Sequence, residues 1–282
     1  RSEQAAQNLN KHLPPMLVAL YDEMTQAHRQ LSLKTFESLV ALAKTNVQGD
    51  RITIQFNEVQ ALSEALRLLS NAPRVIGERM RRQTNVKRFK QILLAMHNYH
   101  DTYQMFPPRD KVRDANGTTG LSWRVHLLPF LEEIVLYRQF ALDEPWDSPN
   151  NKPLLEKMPK VFQSQWLGIN PAHTTFLAPV GEDTIYGGTK STKFFHIRDG
   201  TSNTIVLVEV KPSQSVPWTA PRDYKFDPKT PGSGLRAGAD GLFLSALCDG
   251  SVHMLPATIP GEMLLRLFQK SDGQLVDWDK VR

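Results

Sequence analysis

The stretch QTNVKRFKQILLAMHNYHDTYQMFPP, residues Gln83–Pro108, decides the fold of this chain. Its large apolar residues recur at steps of three and four, which places them on one stripe of an α-helix. Pro107 and Pro108 end this helix, because neither has a backbone N–H to donate. The sequence therefore predicts a long central helix with one buried face. That face comprises Phe89, Ile92, Leu93, Met96, Tyr99 and Tyr103.

The chain changes from a helical to a β pattern on the C-terminal side of this helix. Helices followed by antiparallel strands predict an α+β fold, with the central helix packed on an antiparallel sheet. Asp249-Gly250 is the strongest turn signal, a two-residue hairpin. The predicted strands are Thr175–Val180, Phe194–Ile197, Thr204–Val210, Leu242–Leu247 and Ser251–Leu255.

Further helices and a loop are predicted around these strands. Ser122 caps a helix that runs to Phe140, with Pro129 as a kink or first turn. The segment Gly232–Gly241 contains four glycines and is predicted to be a mobile or ligand-facing loop. A late helix is predicted at Pro260–Phe268 from its apolar period.

Residues 1–80 have the pattern of a small, mostly helical module with one or more strands. Helical spacing runs from Leu13 to Ala43, and Arg51–Phe56 alternates like a strand. Asn46–Asp50, which lies between these two segments, contains residues typical of a turn. Helical spacing returns at Val59 and is interrupted at Pro73. The predicted domains are therefore 1–80 and 81–282.

The composition of the chain limits the classes of function that it can have. The net charge is +5, but the 34 basic and 29 acidic residues are interspersed, which does not indicate nucleic-acid binding. A single cysteine, Cys248, excludes an intramolecular disulfide. No apolar run is long enough to predict a membrane span. The chain begins with the polar RSEQAAQN, so we expect any targeting segment to lie before Arg1.

A basic segment precedes the apolar half of the central helix. Positive charge near a helix N-terminus opposes the helix dipole, so helix propensity does not explain it. An anionic partner such as an acidic polysaccharide is one interpretation, and a solvated helix face is the other. The segment contains Arg74, Arg79, Arg81, Arg82, Lys87, Arg88 and Lys90.

Two tryptophans and two carboxylates are candidates for ligand binding. Glu209 ends a predicted strand and is near Trp218 and Asp223 in sequence. An aromatic surface beside acids suits a carbohydrate, and Trp146 is a second aromatic candidate. The alternative is a hydrolase with Glu209 and Asp223 as its acid pair.

Metal binding has two candidate sets. Asp143, Glu144, Asp147 and Asn150 offer the oxygen ligands that calcium prefers, without the spacing of an EF-hand. His97 and His100 lie on one side of the central helix but lack a third ligand, so packing against the sheet is the favoured interpretation. No cofactor is predicted, with calcium as the alternative.

Six ordered motifs carry a family resemblance. They are KQILLAMHNYHDTYQMFPP from Lys90, SWRVHLLPFLE from Ser122, LDEPWDSPNN from Leu142, RDGTSNTIVLVEV from Arg198, VPWTAPRD from Val216 and CDGSVHML from Cys248. Together they resemble a large bacterial family of unknown function, abundant in planctomycetes. It is known as domain of unknown function 1559 and also carries a solute-binding label.

Members of this family resemble type IV pilins and type II secretion pseudopilins, in which a helix packs on an antiparallel sheet and a loop can bind calcium. This chain departs from them, because its central helix is preceded by the basic segment and not by a membrane-spanning helix. The resemblance implies a non-catalytic structural or ligand-binding protein of the cell envelope, or a secreted one, with other envelope proteins as partners. A glycan or small-solute binding module and an unrecognised hydrolase are the alternatives.

Overall fold

The computed structural model describes residues 43–48, 51–56, 59–108, 120–164, 170–187, 191–274 and 276–281. Side chains are described from Glu78 onward, apart from Arg79 and Lys280. The chain divides into two compact units, Arg1–Met80 and Arg81–Arg282. The helices predicted between Leu13 and Ala43 lie outside the described residues.

The first unit contains a hairpin of two antiparallel strands. Strand β1, Ala43–Gln48, pairs with β2, Arg51–Phe56, from Ala43 opposite Phe56 to Gln48 opposite Arg51. The strand predicted at Arg51–Phe56 is confirmed. The turn predicted from Asn46 is shorter than expected, because pairing with β2 extends the partner strand to Gln48 despite the low strand propensity of Asn46.

Helix α1 spans Val59–Tyr103. The interruption predicted at Pro73 is wrong: a proline removes one helical hydrogen bond, and the bonds on either side still form. The predicted buried stripe is confirmed from Phe89 to Tyr99, where each member is at most 4% exposed. Tyr103 is the exception and is 51% exposed, with its ring centre 4.5 Å from that of Tyr99.

A four-stranded antiparallel sheet forms the centre of the second unit. Its strand order is β10-β9-β6-β4. The strands are β4 at Phe176–Leu177, β6 at Ile205–Glu209, β9 at Leu242–Leu247 and β10 at Val252–Pro256. With α1 packed on this sheet, the α+β fold is confirmed.

Two hydrophobic cores use alternate side chains of this sheet. Phe176 of β4 packs in the first core, where its ring meets Phe89 of α1 edge to face at 4.9 Å. The adjacent Leu177 packs in the second core, together with Phe243 of β9. Because successive side chains of a strand point to opposite faces, the sheet lies between the two cores. This is why β6 is apolar and buried along its whole length up to Glu209.

Helix α4, Gly261–Phe268, covers the second core and confirms the predicted late helix. The other helices are a single turn each: α2 is Trp123–His126 and α3 is Ile134–Tyr137. The long helix predicted from Ser122 to Phe140 is therefore wrong. Ser122 does cap α2, but Pro129 lies in a separate 3₁₀ turn, Leu128–Phe130, that divides the segment.

Four short strands form two additional pairs. Strand β3, His173–Thr174, is antiparallel to β7, Val216–Pro217, and β5, Pro179–Val180, is parallel to β8, Tyr224–Lys225. The strand predicted at Phe194–Ile197 is wrong, because Phe194–His196 is a 3₁₀ turn that packs Phe194 against aromatic rings of the α1 end. The other 3₁₀ turns are Lys152–Lys157, Lys160–Phe162, Thr201–Asn203, Pro212–Gln214 and Trp278–Lys280.

The hairpin between β9 and β10 contains the predicted Asp249-Gly250 turn. Gly250 has a φ of +92°, which glycine adopts without strain. Leu247 N–H donates to Ser251 O at 3.0 Å, so the loop has three residues and not the predicted two. Among the residues that the structure describes, no helix combines the length and apolar character that crossing a membrane requires.

Candidate ligand-binding site

Trp218, a predicted ligand-binding residue, lies in the first core with no exposed surface. Its ring is stacked with Phe162 at a centroid distance of 6.0 Å and meets Phe140 edge to face at 5.9 Å. Its indole Nε1 donates to Leu155 O at 2.9 Å. With both its ring and its N–H engaged in the core, Trp218 offers no surface to a sugar in this conformation.

Asp223 forms a buried ion pair with Arg124, the second residue of α2. The Arg124 Nη2 and Asp223 Oδ1 atoms are 2.8 Å apart, and both side chains are fully buried. The same oxygen accepts hydrogen bonds from Trp123 Nε1 at 3.1 Å and from the Ala178 backbone at 3.0 Å. Asp223 therefore joins α2 to the chain segment between β4 and β5.

Arg124 uses its other donors inside the protein as well. It donates to Ser122 Oγ at 2.7 Å and to Phe176 O at 2.8 Å. Burial lowers the pKa of the Arg124 guanidinium, and the neighbouring Asp223 carboxylate opposes this shift. The cluster is thus a structural ion pair in the first core.

Two polar atoms beside this ion pair have no hydrogen-bond partner among the residues that the structure describes: Asp223 Oδ2 and Tyr186 Oη. Tyr186 stacks on Trp123 at a centroid distance of 6.2 Å. Burial, and then the Asp223 charge, raise the pKa of the Tyr186 phenol well above its usual value. Tyr186 is therefore neutral at physiological pH.

Glu209, at the end of β6, is 3% exposed. Its Oε1 accepts a hydrogen bond from Asn85 Nδ2 at 2.8 Å, and Asn85 is itself fully buried on α1. The contact ties the sheet to the helix. The two carboxylates predicted as an acid pair therefore have different partners. Glu209 bonds to Asn85 of α1, whereas Asp223 bonds to Arg124 of α2.

Trp146 is half-buried and packs at the edge of the first core. The exposed guanidinium of Arg222 lies 5.7 Å from its ring centre, a distance at which a cation attracts the ring. Trp146 therefore has Arg222 beside its ring, whereas Trp218 has Phe140 and Phe162.

The predicted calcium ligands lie on a surface turn. Asp143, Asp147 and Asn150 are exposed, and Glu144 is half-buried. Asn150 Nδ2 donates to Glu144 Oε1 at 2.8 Å, so the amide nitrogen and not the oxygen faces the carboxylate. In the described ranges, no group of three His, Cys, Asp or Glu side chains is arranged to hold a metal ion.

His97 and His100 each form a hydrogen bond to a connecting segment through a ring nitrogen, as predicted. His97 Nε2 lies 2.9 Å from Cys248 O in the β9–β10 hairpin, and His100 Nε2 accepts a hydrogen bond from Phe194 N at 3.3 Å. Burial lowers the pKa of His100, although Asp101 opposes this. The neutral form of His100 can accept that bond.

The basic segment is divided between internal and exposed charges. Arg82 makes two hydrogen bonds to the Asp240 carboxylate, and Arg88 donates to Gln163 O. Lys87 and Lys90 are exposed and form no ion pair in the described part of the chain. Two of the cations thus serve the fold and two face solvent.

A groove of about 320 Å³ opens over the second core, between the loop that follows β8 and the start of α4. Its floor is made of buried apolar side chains from the loop that follows β8, from β9, from the β10–α4 connection and from α4. Lys229, Thr230 and Ser233 are exposed and form its rim. We call this cavity the Lys229 groove. The floor residues are Leu235, Phe243, Ile259 and Leu264.

Hydrogen bonds fix the loop that forms one wall of the Lys229 groove. The buried Tyr224 hydroxyl donates to Pro231 O at 2.7 Å and accepts from Gly234 N at 3.1 Å. A Cβ at Gly234 would lie 2.6 Å from the Tyr224 ring, so glycine is needed for this close approach. The glycine-rich loop predicted at Gly232–Gly241 is therefore anchored here, and the Arg82 contact to Asp240 anchors its other end.

Sequence reasoning found only part of this groove. Gly232 and Ser233 fall in the predicted ligand-facing loop and do line the cavity. Lys229 and Ala257 were missed, because neither belongs to a recognisable motif. Leu235 also falls in the predicted loop. Phe243 and Leu264 carried only the signal of an apolar strand or helix, which does not distinguish a groove from a closed core.

Residues 76–167 match the model of a protein family described as a protein of unknown function, DUF1559. This supports the predicted resemblance to that domain of unknown function. The matched residues include the second half of α1, the α2 segment with Arg124, and Trp146; Asp223 and the Lys229 groove lie outside them. No curated protein and no solved structure matches the chain.

Proposed function

We propose that this chain is a non-catalytic ligand-binding protein of the cell envelope, or a secreted one, and that the Lys229 groove is its binding site. The observation that carries the proposal is the groove itself, which combines a buried apolar floor with a polar rim open to solvent. Small-molecule sites in proteins have this composition, with volumes of about 300 to 1,000 Å³. The groove is at the small end of this range.

The surroundings of the acid-pair candidates support a non-catalytic role over a hydrolase. A general acid or base must come within hydrogen-bond reach of the proton it transfers. The Asp223 side chain is fully buried, and its Oδ1 already accepts three hydrogen bonds, from Arg124, Trp123 and Ala178. Glu209 is 3% exposed and bonded to Asn85.

The proposed location follows from the resemblance of the six ordered motifs to an envelope-associated, pilin-like family. The arrangement of α1 on an antiparallel sheet is compatible with a pseudopilin-like head. Lys87 and Lys90 are the charges that an acidic envelope polysaccharide would meet. Fractionation of the producing cells tests the location, and recovery of the protein in the cytosol alone would contradict it.

Binding to the groove can be tested with 8-anilinonaphthalene-1-sulfonate, an anionic aromatic dye whose fluorescence rises at hydrophobic sites. We expect a saturable signal with wild-type protein that is lost in Ala257→Trp, because Ala257 is an exposed lining residue and the indole would fill the groove. Thr102→Trp adds the same ring at an exposed position on α1 that does not line the groove, and should retain the signal. Equal signals from both variants would contradict the proposed site.

The proposal includes no cofactor, and calcium is the alternative to test. A ligand that binds only the folded state raises its apparent stability by mass action. We therefore expect no change of melting temperature on adding calcium. A rise that a chelator reverses, and that Asp147→Asn abolishes, would instead assign calcium to the turn around Asp143.

A further inference from the structure

The rim of the Lys229 groove carries a charge of one sign. Lys229 is the sole charged residue among those that line the cavity, and its side chain is exposed. It forms no ion pair within the described part of the chain. Its ammonium group is therefore not engaged by a carboxylate of the described residues.

The acidic residues next to the lining segments in sequence form contacts other than an ion pair with Lys229. Asp227 Oδ1 accepts a hydrogen bond from the Lys229 backbone N–H at 2.9 Å, which caps the start of the loop. Glu262 forms an ion pair with Arg266 one turn along α4. Neither contact engages the Lys229 ammonium.

The other rim and floor groups define the rest of the ligand. Thr230 and Ser233 add hydroxyl groups at the rim, which can donate to an oxyanion. The floor includes Leu235, Phe243 and Leu264, which are at most 4% exposed, so only a small part of each side chain faces the groove, and it contains no charged group. A ligand that matches both parts has an apolar body and an anionic head.

We propose that the Lys229 groove binds a small amphiphile with a short apolar tail and a single anionic headgroup, such as a medium-chain carboxylate. The tail lies on the floor and the head meets Lys229 at the rim. This inference rests on the proposed function, because it names the ligand class of the same site. The volume of about 320 Å³ favours a short tail over a long acyl chain.

The test compares three probes that share a tail and differ in headgroup charge: octanoate, octanol and octylammonium. Each is titrated into the protein by calorimetry at concentrations where the probe is monomeric. We expect octanoate to bind most tightly and octylammonium least. An exposed ion pair between the headgroup and Lys229 should change the affinity of a probe by about two- to fivefold, and added salt should reduce this difference.

Two lysine variants separate the headgroup contact from general charge. Lys229→Met should remove the preference for octanoate over octanol, and Lys229→Glu should invert the order of octanoate and octylammonium. Lys225→Met, at an exposed position in β8 outside the groove, removes the same charge and should leave the preference intact. Ala257→Trp should weaken all three probes.

The outcomes distinguish the two proposals. If the three probes bind alike and Ala257→Trp abolishes their binding, the groove is a binding site but the anionic class is wrong. If no probe binds, or if Ala257→Trp changes nothing, both the anionic class and the proposed site are overturned. An octanoate preference that survives Lys229→Met would overturn the role given to Lys229.

Discussion

The Arg124 cluster and the Lys229 groove use their polar groups in opposite ways. Arg124 and Asp223 are fully buried, and their hydrogen bonds join α2 to the sheet region. Lys229 lies on an exposed loop, and its ammonium forms no ion pair in the described ranges. The charged groups with the most internal contacts therefore hold the fold together. The region open to a ligand is made mainly of apolar side chains and a loop.

The largest expected effect comes from removing one partner of the buried ion pair. Asp223→Ala leaves the Arg124 guanidinium buried without its carboxylate, which should lower the free energy of unfolding by about 3 to 5 kcal/mol. The measurement is urea unfolding followed by tryptophan fluorescence. Asp227→Ala, which removes an exposed carboxylate from the groove loop, should cost about 1 kcal/mol.

Two outcomes would change this view of the Arg124 cluster. A loss for Asp223→Ala no larger than that for Asp227→Ala would mean that the cluster does not support the fold. The double variant Arg124→Met with Asp223→Leu should recover most of the loss, because both buried charges are then gone. Failure to recover would mean that hydrogen bonds to Phe176 O and Ala178 N, more than the charges, hold this region.

The second effect concerns the two tryptophans predicted as ligand-binding residues. Trp218→Ala should cost about 3 to 5 kcal/mol, because it leaves a cavity in the first core. Trp146→Ala should cost distinctly less, since its ring is half-buried and its contact with Arg222 contributes only about 0.5 to 1 kcal/mol. The same urea assay measures both. Equal losses of unfolding free energy would place Trp146 in the core and would argue against a role in ligand binding.

The sequence predicted the elements of the second unit whose signals are local. The apolar stripe of α1, the strands at Ile205–Glu209 and Leu242–Leu247, and α4 follow from periodicity within a few residues. Errors occurred at prolines, because a proline can either be tolerated within a helix or interrupt it. Pro73 was expected to break a helix and does not, whereas Pro129 divides a segment that was expected to be one helix.

The functional predictions needed contacts that no local pattern contains. Glu209 meets Asn85 from 124 positions away, and Asp223 meets Arg124 from 99 positions away. An acid beside a tryptophan in sequence gives no sign of such partners, so Glu209 and Asp223 were predicted as ligand-binding carboxylates or an acid pair. The groove was partly predictable from Gly232 in a glycine-rich loop. Its floor was not, because Phe243 and Leu264 have the pattern of ordinary core residues.

A matched pair of tyrosine variants tests the two regions with the same chemical change. Tyr224→Phe removes the hydroxyl that bonds Pro231 O and Gly234 N beside the groove, and should cost about 1 to 3 kcal/mol. It should also weaken dye binding to the groove. Tyr186→Phe removes a hydroxyl with no partner in the described structure, so the expected change is about 0.5 kcal/mol or less.

Equal losses for the two tyrosine variants would have a specific meaning. A buried water would then connect the Tyr186 hydroxyl to Asp223 Oδ2, since interior waters bond to polar groups that lack protein partners. A Tyr224→Phe variant with unchanged stability and dye binding would show that the loop wall does not depend on these hydrogen bonds.

An effect that appears only at alkaline pH compares the two cores through their buried phenols. Burial, together with the neighbouring Tyr103 and Tyr137, raises the pKa of Tyr99 in the first core to about 12. The unfolded value is about 10. The folded state disfavours the phenolate, so the stability that Tyr99 contributes is fully present below about pH 10 and is lost as the pH rises through about 12. The free energy of unfolding of wild-type protein should therefore fall more steeply over this range than that of Tyr99→Phe.

Tyr224→Phe removes a phenol of raised pKa from the second core, and it should likewise flatten the dependence of the free energy of unfolding on pH. If only Tyr224→Phe flattens it, the surroundings of Tyr224 oppose ionisation and those of Tyr99 do not. If the free energy of unfolding falls equally with pH in the wild type and both variants, the burial of both phenols is contradicted.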